Sequence, residues 1–178
     1  MDSIIENGLI PRKILKQNTV KFEDVANPEI ITKREELGLD GYIPFHFHPY
    51  SSFDVAVKKA HAGEKMVYIC ITRKLARDNH FKILPKHPLS LTDYKLYDYD
   101  EGFSLIDWDI LTQVGTSGEE AKHIKMAECL SDLVIPVDCF NCIFVSSKEV
   151  KEEVEGLLRW YDVDFPPPFV NIMPQWFE

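Results

Sequence analysis

A continuous apolar run, Met66-Val67-Tyr68-Ile69-Cys70-Ile71, is the strongest extended segment of the chain and predicts a strand within Lys65 to Arg73. The stretch Tyr42-Ile43-Pro44-Phe45-His46-Phe47-His48-Pro49 alternates and predicts a second strand, whose prolines place it at a sheet edge or a strand end. Shorter extended segments are expected at His80 to Leu84, Ala127 to Leu133, Cys142 to Val145 and Phe169 to Met173. Helical spacing marks Ser3 to Gly8, with Gly8 as terminator, and a patch at Ile30 to Leu37 after the Asn27-Pro28 turn. Ser52 to Ala62 carries Phe53, Ala56, Val57 and Ala60 on one face. Ser147 to Tyr161 reads as a surface helix capped by Ser147, with Val150, Val154, Leu157, Leu158 and Tyr161 inward. Glu119 to Met126 is expected to be helical, as are short turns at Arg73 to Arg77 and after Asp107 within Phe103 to Leu111. Loops or turns fall at Pro85 to Leu89, Thr116 to Gly118 and Pro136 to Phe140, and Tyr94 to Tyr99 is rich in tyrosine without a clear period. Helices and strands mix without repeats or a regular strand–helix–strand rhythm, so the expected class is α+β.

At 178 residues the chain has the size of one domain, 1–178. Its 45% hydrophobic and 28% charged content excludes disorder and low-complexity classes. Acidic residues outnumber basic ones 29 to 20, for a net charge of −9, which argues against coating nucleic acid by bulk charge and leaves room for a local basic groove. Apolar stretches stay well short of the ~20 residues of a membrane span. Four cysteines and no secretory signal point to a reducing cytoplasm. Cys139 and Cys142 have C-x-x-C spacing, but they lie in an apolar run without a second ligand pair, so buried thiols are expected there.

Three clusters carry candidate chemistry. His46 and His48, two apart on a strand, share a face and could hold a metal, as a hydrolase would, although a third ligand would have to come from elsewhere. Phe45 and Phe47 suit the core-facing side, and structural or substrate-contacting histidines are the stronger reading. Glu128 sits between Ala127 and Cys129, where the chain turns apolar; a carboxylate there either pairs with a lysine or, partly desolvated, handles charge or protons. The run Lys33-Arg34-Glu35-Glu36 is, taken by itself, a solvated helix face.

The order of these segments carries more than any of them singly. The I-x-x-x-G-L-I segment is followed by Ile30-Ile31-Thr32-Lys33-Arg34, Gly41-Tyr42-Ile-Pro-Phe-His-Phe-His-Pro49, a helix and an apolar strand, and His87 in a loop. Ile106-Asp107-Trp108 and Lys125-Met126-Ala127-Glu128-Cys-Leu come next, and the apolar C-terminal segment near Trp176-Phe177 also fits. Over nearly its whole length the sequence resembles the DarT family of DNA ADP-ribosyltransferase toxins.

The resemblance implies an ADP-ribosyltransferase fold, a split, mostly antiparallel β-core flanked by helices, with NAD bound in the cleft and no metal. It implies transfer of ADP-ribose from NAD to a base of single-stranded DNA, with a macrodomain antitoxin as partner. Position by position, Glu128 matches the catalytic glutamate, and Arg34 an arginine of the NAD site on which activity depends. Tyr42 to Pro49 matches the wall of the cleft, with Tyr42, Phe45 and Phe47 on the NAD side and His46, His48 and Tyr50 toward the substrate. His87 matches a histidine of a substrate-side loop. The sequence departs from the family in two places: Tyr50 replaces an arginine after the strand, and the given sequence opens within the first helix, without the histidine-bearing strand that precedes it in the family, so either the start lies further upstream or that strand and part of the NAD site are lacking. The second departure gives an alternative expectation, an impaired scaffold that binds NAD, nucleic acid or a protein without turnover.

Overall fold

The computed structural model describes residues 1–22, 25–87, 95–113, 115, 118–164 and 166–178. Among these described residues, six strands fall into two sheets of three, surrounded by helices. In the first sheet, β4 (Glu128–Ser131) lies between β1 (Ile43–His46) and β3 (Lys82–Leu84), antiparallel to both. In the second, β5 (Cys142–Val145) pairs antiparallel with β2 (Val67–Cys70) and parallel with β6 (Phe169–Ile172). This is the split, mostly antiparallel core of an α+β fold.

The register of the first sheet decides the rest. Glu128 stands directly opposite His46 on one side and Leu84 on the other, while Cys129 stands opposite Phe45 and Ile83. Because side chains alternate across a strand, Glu128 and Cys129 look to opposite faces. The Cys129 face joins the main core, which includes Phe81, Ile83, Ile143 and Val145 and reaches both sheets. The other face holds a small cluster, Leu39, Leu84 and Leu130, against which Leu37 and Tyr42 pack. That cluster anchors the segment carrying α3 (Pro28–Glu36), and so sets where Arg34 can reach.

The helices start where their caps dictate. Asn27 accepts from the Glu29 amide to begin α3, and Ser51 and Asp54 cap each other's backbone to begin α4 (Ser52–Ala60). Asp107 caps α7 (Trp108–Thr112) through the Ile110 amide, and Ser147 caps α9 (Lys148–Trp160) through that of Val150. The inward set of α9 divides, with Val150, Val154 and Leu158 buried and Leu157 and Tyr161 half-buried. Gly8 ends α1 (Asp2–Asn7) at φ +78°, and a Cβ there would meet the Ile135 carbonyl oxygen at 2.6 Å. Only glycine lets the chain pass close enough for Leu9 to pair with Ile135.

Several expected elements are shorter than their patterns. The strand read from Tyr42 to Pro49 ends at His46, and that read from Lys65 to Arg73 is Val67–Cys70. The turn after Arg73 is α5 (Arg73–Asp78), and α8 (Glu119–Ile124) stops before the site. Two α-helices among the described residues have no counterpart in the sequence reading: α2 (Arg12–Gln17), which buries no residue, and α6 (Tyr99–Leu105). Residues 88–89 of the Pro85 to Leu89 loop, Tyr94 of the tyrosine-rich segment, and Thr116 and Ser117 of the Thr116 to Gly118 loop lie outside the described residues. No helix among the described residues is long and apolar enough to cross a membrane.

Candidate active site

Arg34 and Glu128, 94 positions apart in sequence, meet in an ion pair. Arg34 lies in the last turn of α3, and Glu128 opens the central strand of the first sheet. One guanidinium nitrogen, Nη1, donates to both carboxylate oxygens, at 2.8 Å to Oε1 and 3.0 Å to Oε2. The pair is desolvated, with side chains exposed only 12% and 4%. The partner of Glu128 is thus an arginine and not a lysine, and the arginine of the Lys33–Glu36 run turns away from solvent while its neighbours Lys33 and Glu36 pair at the surface.

Two buried polar atoms beside this pair have no hydrogen-bond partner among the described residues: Arg34 Nη2 and His46 Nδ1. Leaving such groups unmatched costs about 1–3 kcal/mol each. Both belong to residues in contact or in register with Glu128, so the unmatched hydrogen-bonding capacity is concentrated around one carboxylate. An orphaned donor on a guanidinium whose other nitrogen is fixed suits an acceptor oxygen of a bound substrate.

A cavity of about 460 Å³ opens between Asn27, which caps α3, Ile30 within that helix, Phe53, Ala56 and Val57 of α4, and His87, His123 and Met126. Its size falls within the ~300–1,000 Å³ of ligand sites. Neither Arg34 nor Glu128 lines it; the link to the pair runs through Phe53, which touches His46 opposite Glu128, and through His87, which feels both charges. The Phe53 ring stacks on His46 at 6.0 Å, and the His87 ring stacks on His123 at 6.2 Å while its amide donates to the His123 carbonyl. Burial lowers the His87 pKa, with His123, Arg34 and His46 adding to that and Glu128 opposing it. His87 is therefore neutral near pH 7 and close enough to feel both members of the pair.

The other residues singled out in the sequence separate. His48 donates from Nε2 to the Lys125 carbonyl at 3.0 Å and accepts at Nδ1 from the Tyr50 amide at 3.1 Å. Both ring nitrogens are thus committed to backbone, and burial, the main cause, lowers its pKa. Tyr50, 46% exposed, borders a neighbouring groove together with His48. Tyr42 packs on the Leu39 cluster and shares a recess of about 200 Å³ with Arg34. Phe45 and Phe47 face away from Glu128. Phe45 stacks on Phe81 at 6.4 Å, and Phe47 packs edge-on against Trp108 at 5.3 Å. They border a separate cavity of about 190 Å³ with Ile69, Cys70 and Arg73.

Among the described residues no group of three or more histidine, cysteine or acidic side chains could hold a metal ion. Burial pushes the thiols of Cys70 and Cys129 up to about 12, so neither is a ready nucleophile. Cys142 is buried and Cys139 half-buried. Phe53, Ile30 and His123 were not expected at the site. Ile30 lies one helical turn before Arg34, and that spacing was the available signal.

A family model described as "ssDNA thymidine ADP-ribosyltransferase, DarT" matches residues 1–178. No curated protein matches the sequence significantly. Among solved structures, the fold is similar to Thermus sp. 2.9 DarT in complex with ADP-ribosylated ssDNA, with a TM-score of 0.82 and 19% identity over 99% of this chain and 90% of that one. The same organism's DarT in complex with NAD+ aligns with a TM-score of 0.77 and 18% identity, over 99% and 91%. Thermosipho africanus DarTG in complex with ADP-ribose aligns with a TM-score of 0.71 and 17% identity, covering 99% of this chain and 48% of that longer one. At these identities the structural likeness is one of fold.

Proposed function

Since the chain belongs to the DarT family of ssDNA thymidine ADP-ribosyltransferases, we propose that Glu128 and Arg34 are the residues with which it transfers ADP-ribose from NAD to a base of single-stranded DNA. The observation that carries this assignment is the buried pair with its unused donor: a carboxylate held between both neighbouring strands, and a guanidinium whose Nη2 is still without a partner.

The bond broken joins the nicotinamide nitrogen to the ribose, and the leaving nicotinamide takes the electron pair. Positive charge builds on the ribose in an oxocarbenium-like state, as in glycoside hydrolysis. A carboxylate fixed in low-dielectric surroundings stabilises that charge strongly, because it needs no reorganisation at the moment of reaction. With thymidine as acceptor, the only ring N–H of the base is at N3. The C–N bond forms there as the proton leaves, and Glu128 accepts it. Arg34 fixes the carboxylate through Nη1 and offers Nη2 to an acceptor oxygen of the substrates. His46, opposite Glu128 in the sheet, offers Nδ1 on the same face. The cavity walled by Phe53 and His87 receives the nicotinamide and ribose. Stacked rings there bind flat groups and exclude water.

Residues 1–178 act in this reading as one catalytic domain, and the expected partners are single-stranded DNA and a macrodomain antitoxin in the cytoplasm. The test is a transfer assay with labelled NAD and thymidine-containing single-stranded DNA. Wild type is expected to label the DNA and Glu128→Ala to leave it unlabelled. Labelling that persists undiminished in Glu128→Ala would remove the assignment.

A further inference from the structure

A base can reach Glu128 only if the DNA strand on either side of it runs over the protein surface. One groove is built for such a run. It measures about 630 Å³, is bordered by Tyr50, Thr112, Gln113, Lys125 and Trp176, and shares Ser52 and Lys122 with the main cavity. In a chain of net charge −9, its charged lining side chains among the described residues are lysines only, apart from His48, whose depressed pKa keeps it neutral. The Lys125 ammonium is held against the Gln113 carbonyl and pairs with no carboxylate among the described residues, whereas Lys122 meets Glu119 at 2.9 Å. Trp176 is fixed by Tyr68 and Phe144, with its ring 4.3 Å from the Phe144 centroid. Tyr50 is 46% exposed and carries the Lys58 ammonium 5.8 Å above its ring.

We propose that this groove is the track for one nucleotide flanking the modified base, with Tyr50 and Trp176 as the stacking platforms and Lys125 as the phosphate contact. The inference rests on the transferase reading for the direction of approach. It adds that one flank of the DNA is gripped here and the other is not. A groove with two aromatic rings and a lysine that has no carboxylate partner among the described residues holds bases irrespective of their identity, since every base offers a flat face. Tyr50 stands where the resemblance expected an arginine, so stacking here takes the place of a charged contact.

The experiment measures binding of fluorescein-labelled single-stranded oligonucleotides, each with one central thymidine, trimmed one nucleotide at a time from either end. Wild type is expected to lose affinity by about tenfold or more when a particular nucleotide on one flank is removed. Tyr50→Ala is expected to bind the untrimmed DNA that much more weakly and to be indifferent to that trimming. Trp176→Ala should behave alike, and Trp176→Phe, which keeps a ring and guards against misfolding, should restore most of the affinity. Lys125→Gln should flatten the dependence of affinity on salt. Equal loss from both ends, or the same trimming profile in Tyr50→Ala as in wild type, would overturn the proposal, as would no binding of any oligonucleotide. Transfer from NAD is assayed separately on the same proteins. Trimming-sensitive binding without transfer would leave the groove standing and remove the catalytic reading instead.

Discussion

Glu128 and Cys129 are neighbours in β4, yet their side chains enter opposite worlds. Cys129 faces Phe45 and Ile83 in the main core, where apolar groups interlock and its thiol stays protonated. Glu128 faces His46 and Arg34, where two polar atoms are buried without partners among the described residues, and His46 stacks on Phe53 of the neighbouring cavity. The first face is complete. The second is stable only because an ion pair neutralises it, and it keeps binding capacity in reserve. Changes to one face should therefore show in stability and changes to the other in rate.

The sharpest break is Glu128→Gln. The amide keeps the shape and one acceptor for Arg34 Nη1 but loses the charge that faces the developing cation. Transfer is expected to fall by about 10²–10³-fold, on the scale of removing a preorganised electrostatic group. NAD affinity, measured by calorimetry, should change by much less. A comparable loss of affinity and rate would mean that the carboxylate binds the ground state and has no special hold on the transition state.

The apolar face offers the mirror experiment. Gly102 of α6 lies so close to β3 that a Cβ would sit 2.5 Å from that of Ile83 and 2.8 Å from that of Tyr97. Gly102→Ala should destabilise by about 1–3 kcal/mol, as overpacking does, seen as a lower urea midpoint. Ile83→Val, at a residue with 0% exposure, should destabilise by about 0.5–1.5 kcal/mol. Neither should alter the transfer rate per folded molecule. A rate loss in Ile83→Val beyond its loss of folded protein would show that the two faces are mechanically coupled through β4.

Gly102 also explains part of what the sequence hides. In Tyr99–Leu105 a central glycine reads as a helix breaker, whereas here it is the residue that lets α6 lie against the sheet. The helix α2 was invisible for another reason: it buries nothing and has no side-chain cap, so neither periodicity nor a start signal marks it. Amphipathic elements such as α4 and α9 were legible because their apolar stripes or caps are intact. Within the site, Arg34 and Glu128 were reached through motif order, and no local pattern could have paired residues 94 positions apart. For Phe45 and Phe47 the plain alternation was the better guide. It set them on the core side; the sheet register puts Phe45 opposite Cys129, on the face away from Glu128, and Phe47, just past the end of β1, packs against the same core.

The smallest effect expected separates His48 from the other histidines. Its ring bridges the end of β1 to the Lys125 carbonyl, three residues before Glu128, and needs the neutral Nε2–H tautomer to do so while Nδ1 accepts from Tyr50. Burial lowers its pKa, helped by Lys125 and His46 and opposed by the Lys125 backbone bond and Asp54. Below the ordinary histidine value the unfolded chain takes up a proton that the folded chain resists, so stability falls as pH drops from about 6.5 toward the folded-state pKa. His87 has a depressed pKa for the same main reason and contributes in the same direction. His48→Gln retains a donor for the Lys125 carbonyl but cannot titrate, and should show a shallower decline in Tm between pH 7 and 5 than wild type. His48→Asn retains the acceptor for Tyr50 and loses the bridge to Lys125. If the bridge positions Glu128, the Asn variant should lower the maximal rate at pH 7.5 with the KM for NAD unchanged, while Gln restores most of it. Equal rates in both variants would leave His48 as a tether of the Tyr50 loop, with no hold on the carboxylate.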